Sequence, residues 1–183
     1  FTMALQQDQK FSAAFFHRGD AKFHLNDTQG AIDDYSQAIT LGLKDPVLFN
    51  NRGKAYYNLE NYTSAIPDFN EAIKRNPEYT RAYENRGNAY YKTNKYEEAA
   101  RDFRVVEKAT EKPDGTLYHL LGDSYYNMEQ FAAALGYYDK LIASGATDKE
   151  VFHPRGLMLL ENEDFRGAIS DFENAAKAGE NSV

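Results

Sequence analysis

Small and aromatic residues recur along this chain at an interval of 34 or 35 residues. Five glycines set the interval, each with an aromatic residue four positions before it: Gly19, Gly53, Gly87, Gly122 and Gly156. Alanine lies twelve positions after every one of these glycines. An aromatic residue lies sixteen positions after each of them: Tyr35, Phe69, Phe103, Tyr138 and Phe172. A pattern that recurs five times in register predicts a tandem array of one structural unit.

Within each unit, the apolar positions form two helical stripes. Phe49, Gly53 and Tyr56 have the four- and three-residue spacings of one helix face, and Ala65 with Phe69 marks a second helix. A polar turn separates the two helices in every unit: Asn26-Asp27, Glu60-Asn61, Thr93-Asn94, Glu129-Gln130 and Glu163-Asp164. The glycine and the alanine allow the two helices to approach closely, while aromatic side chains fill the space beside them. One such pair cannot bury its own apolar face, so the pairs must stack on their neighbours.

This order of an aromatic residue, Arg or Leu, Gly and Tyr, followed by Ala and Phe, resembles the tetratricopeptide repeat (TPR). The resemblance divides the chain into an N-terminal lead-in (1–11), five repeats (12–45, 46–79, 80–114, 115–148, 149–177) and a C-terminal tail (178–183). It implies an all-α fold, a right-handed superhelical α-solenoid of antiparallel helix pairs, and binding of proteins rather than catalysis. Lys22 and Leu159 depart from the family pattern, because the middle repeats have tyrosine at that position.

A basic and an acidic residue also recur in register, and they change together. Four repeats contain an arginine just before the glycine and an aspartate fifteen positions after it: Arg18–Asp34, Arg52–Asp68, Arg86–Asp102 and Arg155–Asp171. In the fourth repeat the two residues are Leu121 and Tyr137. A change confined to one repeat predicts that each pair makes contact between its own two helices. Such a pair fixes geometry more than it adds net stability, because removing the charges from water offsets their attraction.

A second stripe on each first helix lies three positions before the glycine and one and four positions after it. Its members are Phe16, Asp20 and Phe23; Asn50, Lys54 and Tyr57; Glu84, Asn88 and Tyr91; His119, Asp123 and Tyr126; and His153, Leu157 and Leu160. By resemblance to the family, this stripe lines a concave groove that binds an extended or helical peptide. The predicted partner-binding site consists of the stripe up to His153, together with Asn51, Arg81 and Asn85.

Tyrosines and amides give this stripe its binding chemistry. Tyr57, Tyr91 and Tyr126 offer apolar area with a hydroxyl group, and the asparagines can hydrogen-bond a peptide backbone without reading its sequence. Each tyrosine could instead pack between neighbouring first helices. We favour the groove, because the adjacent tyrosines Tyr56 and Tyr90 already occupy the packing stripe.

Some members of the family hold a terminal carboxylate with a clamp of two lysines, an arginine and an asparagine. Asn51 and Asn85 match the asparagine of that clamp, and Arg81 matches its second basic residue. The lysine expected three positions before a glycine is absent from every repeat. We therefore expect no carboxylate binding of this type.

The other sequence features give little support to a catalytic function. The chain has no cysteine, which excludes disulfides, thiol catalysis and thiolate metal sites. His119 and His153 occupy equivalent positions in adjacent repeats, with Glu84 one repeat earlier, but first helices about 8–10 Å apart strain joint ligation of a metal. No phosphate-binding loop or hydrolase motif is present. We predict a protein that is not an enzyme and that has neither cofactor nor metal.

Charge and hydropathy limit the classes of partner that the chain is expected to bind. A net charge of −7 disfavours nucleic acid, which needs a basic face. No apolar run has the length of a membrane span. The partner is therefore predicted to be a protein or peptide. The absence of cysteine fits both the cytoplasm and the periplasm, so the compartment stays open.

The last repeat raises alternatives to groove binding. Pro154 is expected to shorten or kink the start of its helix, which would leave either a widened groove end or a frayed one.

No further helix covers the last helix of the array, whose outer face is predicted to expose Ile169 and Phe172. Either the natural chain continues, or this face mediates a homodimer. The chain could thus be a self-association module, or the regulatory domain of an enzyme.

Overall fold

Ten α-helices form the part of the chain that the computed structural model describes, residues 2–145 and 149–180. Side chains are described for residues 11–145 and 151–178. The helices are α1 Thr2–His24, α2 Thr28–Thr40, α3 Pro46–Asn58, α4 Tyr62–Arg75, α5 Thr80–Lys92, α6 Tyr96–Ala109, α7 Gly115–Asn127, α8 Phe131–Ala143, α9 Lys149–Glu161 and α10 Phe165–Glu180.

The chain is divided into two compact units, Phe1–Lys95 and Tyr96–Val183. In the first unit α1 packs on α2 and α3 packs on α4, while α2 contacts α3 and α4 contacts α5. In the second unit α7 packs on α8 and α9 packs on α10, and α6 contacts α7. Each unit is therefore built from helix pairs that also contact the next helix along the chain, as the repeat pattern predicts.

The turn inside each repeat is held by a residue with a left-handed backbone conformation. These residues are Asn26, Glu60, Asn94, Glu129 and Glu163, with φ between 57° and 63°. At the end of α3, the amide of Glu60 donates to the carbonyl of Tyr57 and the amide of Asn61 donates to that of Tyr56. These bonds satisfy the last carbonyls of the helix and reverse the chain. Asn61 then caps α4 by accepting from the amide of Ser64.

In four repeats the glycine of the first helix lies directly under an aromatic ring of the second: Gly19–Tyr35, Gly53–Phe69, Gly122–Tyr138 and Gly156–Phe172. A Cβ atom placed on Gly53 would lie 2.7 Å from Cε1 of Phe69 and 3.2 Å from the carbonyl oxygen of Ala65. Phe69 and Ala65 are both fully buried. The expected close approach of the two helices is therefore confirmed in this pair, and it requires glycine at position 53.

The predicted arginine–aspartate contacts are confirmed in three repeats. Each guanidinium forms two hydrogen bonds with the carboxylate sixteen residues later: Arg18–Asp34, Arg52–Asp68 and Arg155–Asp171, at 2.6–2.8 Å. In the fourth repeat Leu121 is buried, while the Tyr137 ring stacks on Tyr125 and its hydroxyl donates to Glu107. The arginines thus fix the two helices of one repeat against each other.

Three arginines of this column also contact the preceding repeat, which the sequence pattern did not predict: Arg52, Arg86 and Arg155. Nη1 of Arg52 donates to Ser36, that of Arg86 to Asn70 and that of Arg155 to Asp139, always sixteen positions earlier. A guanidinium has enough donors for both partners. We call this second contact the junction contact.

The first two arginine–aspartate pairs differ in their electrostatics. The Arg18 guanidinium, aided by Lys22, holds the pKa of Asp34 below its ordinary value despite burial. Burial is the largest effect on Asp68 and raises its pKa, although Arg52 opposes the shift. Burial thus opposes the ionised form of Asp68, while the hydrogen bonds from Arg52 favour it. The second pair is accordingly better explained by geometry than by net stabilisation.

Two expectations about the ends of the array need correction. Pro154 lies inside α9, which is as long as α3, α5 and α7, so this proline does not shorten the helix. Phe172 is not on the outer face, because its ring lies under Gly156. The outer face of α10 exposes Phe165 together with the predicted Ile169.

The first and last helices extend into the predicted lead-in and tail. The lead-in is continuous with α1, which begins at Thr2, and α10 continues to Glu180. The residue ranges of the five repeats themselves stay a prediction.

Candidate functional site

In the first unit, the predicted stripe residues form a chain of hydrogen bonds across three helices. Nδ2 of Asn85 donates to Oδ1 of Asn50 at 2.8 Å, Nδ2 of Asn50 donates to Asn51 at 3.3 Å, and Nδ2 of Asn51 donates to Asp20 at 3.0 Å. Only 1% of Asn50 is exposed. It therefore lies below the surface and positions its neighbours, whereas the sequence pattern predicted that it meets a peptide directly.

Two of the predicted acidic residues are anchored from beneath by tyrosines. The Tyr35 hydroxyl donates to Oδ1 of Asp20 at 2.8 Å, and the Tyr138 hydroxyl donates to Oδ1 of Asp123 at 2.6 Å. Sequence reasoning missed these bonds, although the signal was present. Tyrosine replaces phenylalanine in its column only in the two repeats that have aspartate just after the glycine.

A small cavity opens beside the amide chain. It has a volume of about 120 Å³ and is lined by Lys54, Tyr57, Asn58, Phe69, Asn85 and Asn88. Four of these residues belong to the predicted site: Lys54, Tyr57, Asn85 and Asn88. The Lys54 ammonium lies 5.5 Å from the centre of the Phe23 ring, so residues of two successive first helices meet here.

A larger cavity of about 690 Å³ lies in the second unit, between α7, α9 and α10; we call it the anchor cavity. Its lining consists of His119, Asp123, His153, Pro154, Phe172, Ala175 and Ala176. The first three belong to the predicted stripe, and Nε2 of His119 lies 3.3 Å from Oδ2 of Asp123. The stripe thus supplies the polar wall, while residues from α9 and α10 supply an apolar one.

The remaining predicted residues differ in accessibility. Arg81 and Glu84 are exposed on α5, whereas Phe16 and Tyr91 are half-buried. The Phe16 ring lies 6.1 Å from that of Tyr35. Tyr126 packs on Phe131 at the start of α8, with ring centres 5.8 Å apart.

Tyr57 makes the equivalent contact with Tyr62 at the start of α4, with ring centres 5.1 Å apart. Tyr57 lines the small cavity, and burial raises its pKa. Both ring contacts are with the second helix of the same repeat. Within the described residues, no group of three or more His, Asp or Glu side chains has the arrangement of a metal site. None of the described helices is both long and apolar enough to cross a bilayer.

Comparison with protein-family models identifies the repeat. The model described as "Tetratricopeptide repeat" matches residues 50–114 and 119–182, and a second model, "TPR repeat", matches residues 19–60. The chain belongs to the tetratricopeptide repeat family. A search of curated protein sequences gave no significant match.

Solved structures share the TPR fold at low sequence identity. YrrB, described as a TPR protein with an unusual peptide-binding site, has a TM-score of 0.85 at 16% identity over 100% of this chain and 93% of its own. MamA from Desulfovibrio magneticus RS-1 has a TM-score of 0.81 at 19% identity, covering 93% of this chain and 96% of MamA. PilF from Pseudomonas aeruginosa scores 0.68 at 16% identity over 94% of this chain and 78% of its own. The predicted all-α TPR fold is confirmed.

The family and fold establish the general class of function. Proteins built in this way are typically interaction scaffolds rather than enzymes, and the TPR array of this chain supports the same role. Which surface engages a partner is a separate question, because a shared fold does not locate a binding site.

Proposed function

We propose that the chain is a scaffold that holds a segment of a partner protein, with an apolar side chain of that segment seated in the anchor cavity. The observation that carries this proposal is the composition of that cavity, where Phe172, Ala175 and Ala176 face His119, Asp123 and His153. Ligand pockets of about 300–1,000 Å³ commonly combine apolar lining with a few polar groups that orient the ligand. The cavity is large enough for one or two partner side chains.

The polar groups of the stripe have a second task in this proposal. Asp123 is held in place by Tyr138 and faces His119, so both can hydrogen-bond the backbone of a bound segment at the cavity rim. In the first unit, Asn88 and the amides of Asn51 and Asn85 offer similar contacts beside Lys54. Because main-chain contacts do not read side chains, specificity then depends on the residue in the anchor cavity.

Filling the anchor cavity tests the proposal. Peptides are selected from a random display library on the intact chain and then titrated against wild type and Ala176→Phe. We expect the selected peptides to share a large apolar residue and to lose about tenfold or more in affinity, since one apolar side chain loses its burial. Fluorescence anisotropy measures the affinities.

A matched variant separates cavity filling from a general effect of the added ring. Ala132→Phe places the same side chain at an exposed alanine of α8. It should leave peptide affinity unchanged. Peptides that bind Ala176→Phe as tightly as wild type would contradict the proposal.

Self-association is a second candidate function, favoured by the outer face of α10. Phe165 and Ile169 lie one helical turn apart and are 58% and 59% exposed. If this face joins two copies, sedimentation velocity will show a concentration-dependent dimer that Phe165→Ser with Ile169→Ser converts to monomer. Leu25→Ser with Leu59→Ser removes two other exposed leucines and should leave the dimer intact. A monomer at all concentrations would exclude this function.

A further inference from the structure

The junction contact is absent between α6 and α7, and the residues on both sides have changed. Elsewhere a serine, asparagine or aspartate on the second helix accepts from the next repeat's arginine: Ser36, Asn70 and Asp139. On α6 the equivalent residue is Arg104, and the next repeat has the fully buried Leu121 in place of arginine. The positive charge is thus on the other helix, and Arg104 has no role in the junction contact.

Arg104 belongs to a basic row on one face of α6. Arg101, Arg104 and Lys108 follow the three- and four-residue spacing of a helix face and are exposed. Arg101 pairs with Glu97 at 3.0 Å. Among the described residues, Arg104 and Lys108 have no hydrogen-bond or ion-pair partner. At the same three positions, the other second helices have at most one basic residue.

This row forms one wall of a cleft of about 460 Å³, which we call the basic cleft. The opposite wall comes from the end of α7 and the following turn, with Tyr125, Met128 and Gln130. Val105, 37% exposed, adds apolar surface between the cations. Gln130 precedes α8 without capping it, so its amide group is available to a ligand. Glu97, the partner of Arg101, also lines the cleft, so the cations Arg104 and Lys108 remain beside its apolar floor in a chain whose net charge is −7.

We propose that the basic cleft binds an acidic segment of a partner protein that also contains apolar residues. Charge complementarity favours carboxylates at Arg104 and Lys108, and the apolar side chains between them would contact Val105 and Met128. From Arg104 to Lys108 the helix rises about 6 Å, the length of about two residues of extended chain. A segment with a carboxylate at every second residue matches that spacing. This surface is separate from the stripe and from the anchor cavity.

The test uses a short fluorescein-labelled peptide of alternating glutamate and leucine, titrated against the intact chain at low ionic strength. The double variant Arg104→Gln with Lys108→Gln is expected to bind it about tenfold more weakly, because two exposed charge contacts are lost. Lys44→Gln with Lys74→Gln removes the same net charge from exposed positions of the first unit and should bind as wild type does. The peptide with glutamine in place of glutamate should not bind.

Three controls distinguish the basic cleft from general charge attraction, from a phosphate site and from the anchor cavity. An equal loss of affinity in both double variants would show general charge attraction and overturn the proposal. Inorganic phosphate that binds at the same residues with equal affinity would also overturn it, in favour of a phosphate site. Ala176→Phe should not change binding of the acidic peptide. The proposal for the basic cleft and the proposal for the anchor cavity can therefore be refuted independently.

Discussion

Replacing Gly53 with alanine is expected to lower the free energy of unfolding by about 2 kcal/mol. The new methyl group would lie 2.7 Å from the Phe69 ring and 3.2 Å from a backbone carbonyl of α4. Phe69 is fully buried, so its ring cannot move without displacing the rest of the core. Urea denaturation followed by circular dichroism measures the change.

The control for this variant is a glycine in open space. Gly136 lies inside α8, and a Cβ atom placed on it meets nothing within 4 Å. Gly136→Ala should raise stability by about 0.5–1 kcal/mol, since alanine is the better helix former. Gly122→Ala should be milder than Gly53→Ala, because its nearest ring atom is 3.1 Å away. Equal effects at Gly53 and Gly136 would contradict the close approach of ring and glycine as the cause.

Removing the carboxylate of Asp68 is expected to cost about 3 kcal/mol. Asp68→Ala leaves the Arg52 guanidinium half-enclosed, with Ser36 as its remaining hydrogen-bond partner in the junction contact. An uncompensated charge of this kind is destabilising even where the intact pair adds little. Urea denaturation of Asp68→Ala and of the double variant below measures both changes in the free energy of unfolding.

The fourth repeat shows how the loss of stability in Asp68→Ala can be reversed. Arg52→Leu with Asp68→Tyr reproduces its Leu121 and Tyr137, and Tyr56 is present to stack on the new ring, as Tyr125 does on Tyr137. We expect this double variant to lie within about 1 kcal/mol of wild type. A double variant no more stable than Asp68→Ala would show that the ionic pair itself is required.

Sequence periodicity predicted the helix pairs because packing at a fixed interval forces small and aromatic residues into columns. The columns of Gly53 and Ala65 predicted the close approach of the two helices, although they did not predict the Phe69 ring over the glycine. The arginine–aspartate contact was predictable for a further reason, since both residues changed together in one repeat. Each of these signals recurs along the chain, so a prediction made for one repeat can be checked against the same columns in the others.

Contacts that occur in only one place were harder to predict. The bond between Asn85 and Asn50 joins two different columns and has no equivalent to compare. Phe172 was expected on the surface because the ring-over-glycine contact that its column shares was not taken into account. The groove residues Arg81 and Glu84 remain predictions, because accessibility alone does not identify what a surface binds.

The junction contact limits the order in which these repeats can be joined. Placing the fifth repeat directly after the third would set Arg155 against Arg104, two like charges at the position where an acceptor is needed. Placing the fourth repeat after the first would leave Ser36 opposite Leu121, with no donor for its hydroxyl oxygen. The five modules are therefore not interchangeable, and an engineer who shortens or shuffles them must transplant both sides of each junction together.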